Sequence, residues 1–260
     1  MTLTKLYDYD ENVQMFVAGF MSGSGSNLRK IIEHELKLIS EQGQSPYHVS
    51  VIFSDRFDSK APEIGRDYDI PVITRDIRGF YKKRNAPLKS MGVRMRFDNE
   101  TIEALDAFSP DVLAFAGYMS IASPILLEHY LGVNVHPANL SIVDESGKRK
   151  YTGDKAVYKA LISGEKELRS STHLVTNEVD GGHLLMVSRP LTVTDPEQYA
   201  RDHELAKRIA EHYQNVLKEK GDWVIFPKTL EDIALGRFAR DENGNLYFDG
   251  EPIPSGVRLE

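Results

Sequence analysis

The chain is expected to be an α/β protein, with a mostly parallel sheet flanked by helices. Three observations predict that class. Short apolar runs alternate with helical patterns from Val13 to His136. The first of these runs passes through a glycine-rich turn into an amphipathic helix, the opening unit of a parallel sheet. Asp111 to Ala116 is a continuous apolar run behind Pro110, as expected for a strand buried on both faces.

Taken in order, Val13 to Phe20 is a strand ending in small residues. Ser22-Gly23-Ser24-Gly25-Ser26-Asn27 then leads into a helix with Leu28, Ile31, Ile32, Leu36 and Ile39 at helical spacing. His48 to Phe53 and Pro71 to Thr74 read as the next strands, and Ala61 to Tyr68 and Asn99 to Phe108 as helices. A helix over about Pro124 to Tyr130 precedes the strand Gly132 to His136, which puts His136 at a carboxyl end, where open α/β sheets place their ligands. Ser170 to Thr176 and His183 to Val187 are strand-like and flank Asn177 to Gly182, a polar connection suited to a hairpin or tight corner. Glu197 to Lys218 reads as one long charged amphipathic helix, followed by a break at Gly221 and a further helix after Pro227. The turn signal Asp241-Glu242-Asn243-Gly244-Asn245, followed by Leu246-Tyr247-Phe248 and Asp249-Gly250, predicts a C-terminal hairpin. No repeat, low-complexity linker or clean domain boundary stands out.

Composition narrows the function classes. At 260 residues and 41% hydrophobic content the chain can bury a substantial core as one large domain or two small ones. Its apolar runs are strand-sized and its N-terminus carries acids, so neither a membrane span nor a signal peptide is expected. The absence of cysteine removes disulfides, thiolate metal sites and thiol nucleophiles, and makes the cytoplasm the default compartment. A net charge of -7 argues against broad nucleic-acid affinity.

Two features carry chemistry. The N–H groups of the glycine loop and the helix behind it suit a phosphate or other anion. Gly23-Ser24-Gly25 does not complete a dinucleotide fingerprint, since Leu28 stands at its third glycine, and no Gly-Lys-Ser/Thr follows. On the loop alone, anion binding and a plain turn capped by Ser26 weigh equally. The second feature is Asn134-Val135-His136-Pro137 with Glu178-Val179-Asp180-Gly181-Gly182. Residues two apart on a strand share a side, so Asn134 and His136 aim in one direction. An amide, an imidazole and a carboxylate are the set that binds a carbonyl and moves a proton in acyl transfer, provided the fold brings them together. Separately, His136 reads as a hydrogen-bonded structural residue and Asp180 as a turn former.

In order and spacing, Ser22 to Leu28, Pro110 to Met119, Asn134 to Pro137, and His173-Leu174-Val175-Thr176 through Asp180-Gly181-Gly182 resemble the phosphoribosylglycinamide formyltransferase family of purine biosynthesis. Ile225-Phe226-Pro227, Ala234 to Arg237 and Asp249 to Ile253 look like that family's terminal helix and hairpin. The resemblance runs from about Val13 to the C-terminus. It implies one Rossmann-like formyltransferase domain over residues 13–260 behind an N-terminal extension of residues 1–12. The N-terminal half would hold the substrate phosphate and the C-terminal half would complete the folate site. The implied reaction moves a formyl group from 10-formyltetrahydrofolate to the amine of glycinamide ribonucleotide, with Asn134, His136 and Asp180 catalytic. Asn134 and a protonated His136 would stabilise the oxyanion, while Asp180 would orient His136 or a water and help move the proton. No metal is required.

The same resemblance assigns binding roles. Gly25, Ser26 and Asn27 match the phosphate loop. Met119, Ser120, Ile121 and Ala122 match the segment lining the pterin pocket, with Glu178, Val179, Gly181 and Gly182 opposite and Asn134 between. Asp222 falls where the family has a glutamate facing the ribose, and reads equally as a solvated acid beside a helix break. The chain departs from the family at Ser141 to Tyr151, a longer loop carrying Lys148, Arg149 and Lys150. That loop is either a solvated insertion or a lid or anion contact. Ser120 and Asn99 replace common arginines, for which Arg94 or Arg96 is the nearby substitute. Other acceptors, a sugar nucleotide amine or water as in folate deformylases, and a non-catalytic phosphometabolite or folate binder are the alternatives. The expected state is a monomer or homodimer with small-molecule partners.

Overall fold

An eight-stranded sheet runs through the centre of the protein, in a computed structural model that describes residues 2–260. Its spatial order is Val257–Arg258, Leu184–Val187, Ser171–Leu174, Leu131–His136, Val112–Phe115, Met15–Met21, Tyr47–Ser54 and Val72–Thr74. Only the two pairings made by Ser171–Leu174 are antiparallel. All others are parallel, so the expected class holds.

The first strand shows how the sequence builds two faces. Met15, Val17 and Met21 enter one core with Leu28, Ile31, Ile225 and Phe226, while Ala18 and Phe20 enter the other with Phe53, Phe97 and Leu126. This alternation is the period of two that a strand imposes. Helices Ser26–Gln42 and Trp223–Ala234 cover the first face; Met91–Leu105 and Pro124–His129 cover the second. Ala156–Ile162 and His203–Leu217 pack on each other around a third cluster that includes Tyr151, Val157 and Leu217. Among the described residues no helix is long and apolar enough to cross a membrane.

Several boundaries differ from expectation. The first strand begins at Met15, and Val13 is exposed. The following helix buries Leu28, Ile31, Ile32, Glu35 and Leu38, whereas Leu36 and Ile39 face solvent. Buried Glu35 is accommodated because His48 Nδ1 at 2.7 Å and the Val49 N–H at 3.0 Å satisfy it. The helix expected from Asn99 already starts at Met91 and ends at Leu105, with a 3-10 turn over Asp106–Phe108.

Glu197 to Lys218 is not one helix. Pro196–Arg201 and His203–Leu217 are separated at Asp202, whose carboxylate caps the second helix by accepting the Leu205 N–H at 2.9 Å. Gly221 does not break the chain's helical course either. Lys218–Asp222 is a π-type turn that runs into Trp223–Ala234, and Pro227 lies within that helix. An interior proline costs about 3 kcal/mol. Burial of Ile225, Phe226, Leu230 and Ile233, each worth roughly 1.5–3 kcal/mol, outweighs it.

The expected hairpin forms: Phe238–Arg240 pairs antiparallel with Leu246–Phe248. Asp241 Oδ1 accepts the N–H groups of Asn243 and Asn245 in the turn. Thr4–Lys5 adds to the same small sheet and so ties this stretch of the chain to the C-terminal hairpin.

Candidate active site

The parallel strands Met15–Met21, Val112–Phe115 and Leu131–His136 end on one side of the sheet, and the segments that follow them wall a cleft of about 580 Å³. One end of the cleft is the glycine loop. Lys60 donates its N–H to Gly23 O at 2.9 Å, and Ser22 Oγ accepts the Met119 N–H at 2.9 Å. Gly25 has φ 66°, and a Cβ there would meet Met21 and Ile64. This position therefore suits glycine for both conformation and space. Ser26 is the first helical residue, not the cap; the cap is Gly25 and no side chain caps the helix. Ser26 and Asn27 of the first turn line the cleft, and N–H groups at a helix start have no intrahelical partners, as an anion site needs.

Behind the loop, Asp222 is 4% exposed and accepts Ser170 Oγ at 2.5 Å. It is not a solvated acid. Burial pushes its carboxyl up to about 6, against the pull of Ser170 and Asn27. Asn27 Oδ1 is buried with no hydrogen-bond partner.

At the middle of the cleft the fold brings Asn134, His136 and Asp180 together. Asp180 Oδ2 lies 3.5 Å from His136 Nδ1, and Oδ1 lies 3.4 Å from His173 Nε2. The Gly153 N–H donates to Asp180 Oδ2 at 2.7 Å. His136 Nε2 donates to the Tyr151 carbonyl at 2.8 Å, which fixes the ring and leaves Nδ1 facing the carboxylate. Burial lowers the His136 pKa despite Asp180 beside it, which favours the neutral ring. Burial alone would raise Asp180, but the His173 hydrogen bond, the charge of His136 and the Gly153 N–H hold it at about 2.

His173 was not among the expected site residues. It sits directly across from Asn134 in the antiparallel pairing, and its Nε2 is 3.1 Å from Asn134 Nδ2. Its Nδ1 donates to Leu174 O at 2.8 Å. Antiparallel register was the signal that could have placed it.

The other wall carries Met119, Ser120, Ile121 and Ala122, with Glu178 and Val179 also lining the cleft. Met119 and Ile121 are exposed, as is Val179, an apolar set without a protein partner. Ser120 donates to Asp55 Oδ2 at 2.5 Å. Gly181 and Gly182 do not line the cleft, although both were expected there. They form the corner behind Asp180, because the left-handed Asp180, at φ 53°, turns the chain away from the cavity.

The cations are redistributed as well. Arg94 is buried against Asp98 at 2.9 Å and Tyr118 Oη at 2.8 Å, and Arg96 is exposed; neither lines the cleft. Arg56, Lys155 and Lys218 line it instead. Lys148, Arg149 and Lys150 stand outside the lining.

Residues 15–220 match the formyl transferase family, and with this fold and cleft the protein is an enzyme of the formyltransferase class. The chain is 30% identical over 243 residues to the phosphoribosylglycinamide formyltransferase of Escherichia coli K12, covering 92% of this chain and 96% of that protein. The enzyme of the same name from Haemophilus influenzae is 24% identical over 241 residues, 92% of this chain and 95% of its own. The solved phosphoribosylglycinamide formyltransferase of Coxiella burnetii superposes with a TM-score of 0.71 at 24% identity, over 95% of this chain and all of that one. This chain belongs to the phosphoribosylglycinamide formyltransferase family.

Proposed function

We propose that the protein transfers the formyl group of 10-formyltetrahydrofolate to the primary amine of glycinamide ribonucleotide, a step of de novo purine biosynthesis. The observation that carries this reading is the position of Asp180, within 3.5 Å of both His136 and His173, in the one cleft that the glycine loop and an apolar wall also line. Gly25, Ser26 and Asn27 hold the substrate phosphate with backbone N–H groups, and Asp222 accepts a ribose hydroxyl. Met119, Ser120, Ile121 and Ala122 pack along the pterin, with Asn134, Glu178 and Val179 closing on it. Gly181 and Gly182 serve the pterin site by holding the corner that carries those residues. Residues 13–260 act as one catalytic domain, as a monomer or homodimer in the cytoplasm.

The chemistry follows from charge. The amine nitrogen attacks the formyl carbon, a C–N bond forms and the carbonyl oxygen becomes an oxyanion. The Asn134 N–H stabilises it, which for one such donor is worth roughly 3 kcal/mol. The attacking nitrogen turns cationic and releases a proton onto the His136–Asp180 pair. His136 is neutral and able to accept it, and the carboxylate stabilises the resulting imidazolium. The pair returns the proton to N10 of the folate as the C–N10 bond breaks. The nucleophile belongs to the substrate, so neither a metal nor a covalent intermediate is needed.

The test mixes purified protein with glycinamide ribonucleotide and 10-formyltetrahydrofolate and follows release of tetrahydrofolate by absorbance. Turnover should require the amine. Release that ignores the amine would replace this reading with hydrolysis, and none under either condition would sink both.

A further inference from the structure

Arg149 differs from the two cations beside it. Lys148 and Lys150 are exposed, and Lys150 lies 3.9 Å from Glu165 and over the Tyr151 ring. Arg149 is half-buried and points inward: its guanidinium donates to the carbonyl of Asp180 and, at 2.7 Å, to that of Gly182. The segment that carries it is a closed hairpin. Val143 and Arg149 form an antiparallel bridge, the Lys150 N–H reaches Ile142 O at 3.0 Å, and Asp144 Oδ1 accepts the N–H groups of Ser146 and Lys148. The residues just beyond supply the Tyr151 carbonyl to His136 and the Gly153 N–H to Asp180.

We infer that this hairpin positions the transfer centre and that Arg149 is its positioning residue, clamping the Asp180 corner so that the carboxylate stays between His136 and His173. Asp180 is held in the left-handed region at φ 53°, a conformation that persists only when its surroundings over-determine it. A planar fork satisfying the carbonyls on either side of Gly181 does that. A lysine cannot, because its single ammonium does not present two parallel N–H groups. The sequence left this hairpin as either a solvated insertion or a lid or anion contact; on this inference it supports the Asp180 corner instead. Its one inward cation acts on the protein's own backbone.

This inference rests on the catalytic role proposed for Asp180. Its test compares Arg149→Ala, Arg149→Lys and the double variant Lys148→Ala/Lys150→Ala in steady-state kinetics and in amide hydrogen exchange. Arg149→Ala should lower kcat by about 10–100-fold, the scale of a displacement near 1 Å, with both KM values within about threefold. Exchange at residues 178–183 should accelerate about tenfold there and nowhere else. Arg149→Lys should recover little, millimolar guanidinium should restore part of the Arg149→Ala rate, and the double variant should match wild type. A kcat within twofold of wild type for Arg149→Ala, full activity in Arg149→Lys, or loss of near-ultraviolet circular dichroism would each overturn it. If the wild-type protein transfers no formyl group, the proposed function fails on its own and hydrogen exchange alone decides the clamp. Unchanged exchange at 178–183 then overturns it; faster exchange confined to that corner sustains it.

Discussion

Asp180 and Asp222 are buried carboxylates on one cleft whose proton affinities move in opposite directions, to about 2 and about 6. Asp180 is depressed, so its contribution to stability is present above its unfolded value near 3.8 and is lost as pH falls through about 2. Asp222 is raised, so its contribution is full below 3.8 and is lost as pH rises through about 6. Asp222→Asn should therefore stabilise the fold more at pH 8 than at pH 4, by up to about 3 kcal/mol from the shift. It should also weaken binding of the amine substrate. Chemical denaturation at the two pH values checks this, and an equal effect at both would mean that Asp222 ionises without cost. Asp180→Asn should reduce kcat by about 10²–10⁴-fold with the protein still folded at neutral pH. Near-normal turnover would remove Asp180 from proton transfer.

Elements differ in how plainly their residues announce them. The glycine loop is the clearest case, since a strand, two glycines and a helix define its position before any tertiary contact is known. Gly25→Ala places a Cβ at φ 66° against Met21 and Ile64. It should cost about 1–3 kcal/mol and raise KM for the phosphorylated substrate, while the KM for folate stays put. Thermal melts with paired KM measurements decide it; equal KM rises for both substrates would detach the loop from phosphate. His136, Asn134 and Asp180 were readable for the same local reason, each lying at a strand end or corner. His173 was not, because it lies inside a strand where alternation makes it look structural, and only the pairing with Asn134 brings it to the cleft beside Asp180. Arg94 and Arg149 invert the expected pattern. One nearby arginine is consumed by Asp98 and Tyr118, and one insertion arginine turns inward, outcomes set by packing across distant segments. The helix from Met91 was foreshortened because its buried face includes Arg94, Asp98 and Thr101, so hydrophobic periodicity understates it.

At the scale of the molecule, the strands that end at the cleft lie in the central sheet, Val257–Arg258 forms one edge of that sheet, and Thr4–Lys5 belongs to the separate small sheet of the C-terminal hairpin. Thr4–Lys5 pairs with Ala239 and Arg240, and Leu6 donates its N–H to Phe238 O at 2.9 Å. Removing residues 1–10 should lower the melting temperature by several degrees and leave kcat near wild type, because none of the described residues among them, 2–10, lines the cleft. Calorimetry and kinetics on the shortened protein test it; a large fall in kcat would link the small sheet to the site. The wide turn Lys218–Asp222 joins the two concerns of stability and substrate binding. A Cβ on Gly221 would strike Ser170 Oγ, the hydroxyl that also holds Asp222. The turn carries one residue more than an α-helix of the same rise, and each residue of an α-helix rotates the next by about 100°. It thus acts as a phase shifter, setting Asp222 toward the cleft while Ile225, Phe226 and Ile233 keep their angle to the core. Deleting a single residue here would leave a helix of respectable sequence whose downstream side chains all face the wrong way. Through this stretch, then, substitutions are governed by chemistry and length changes by rotation.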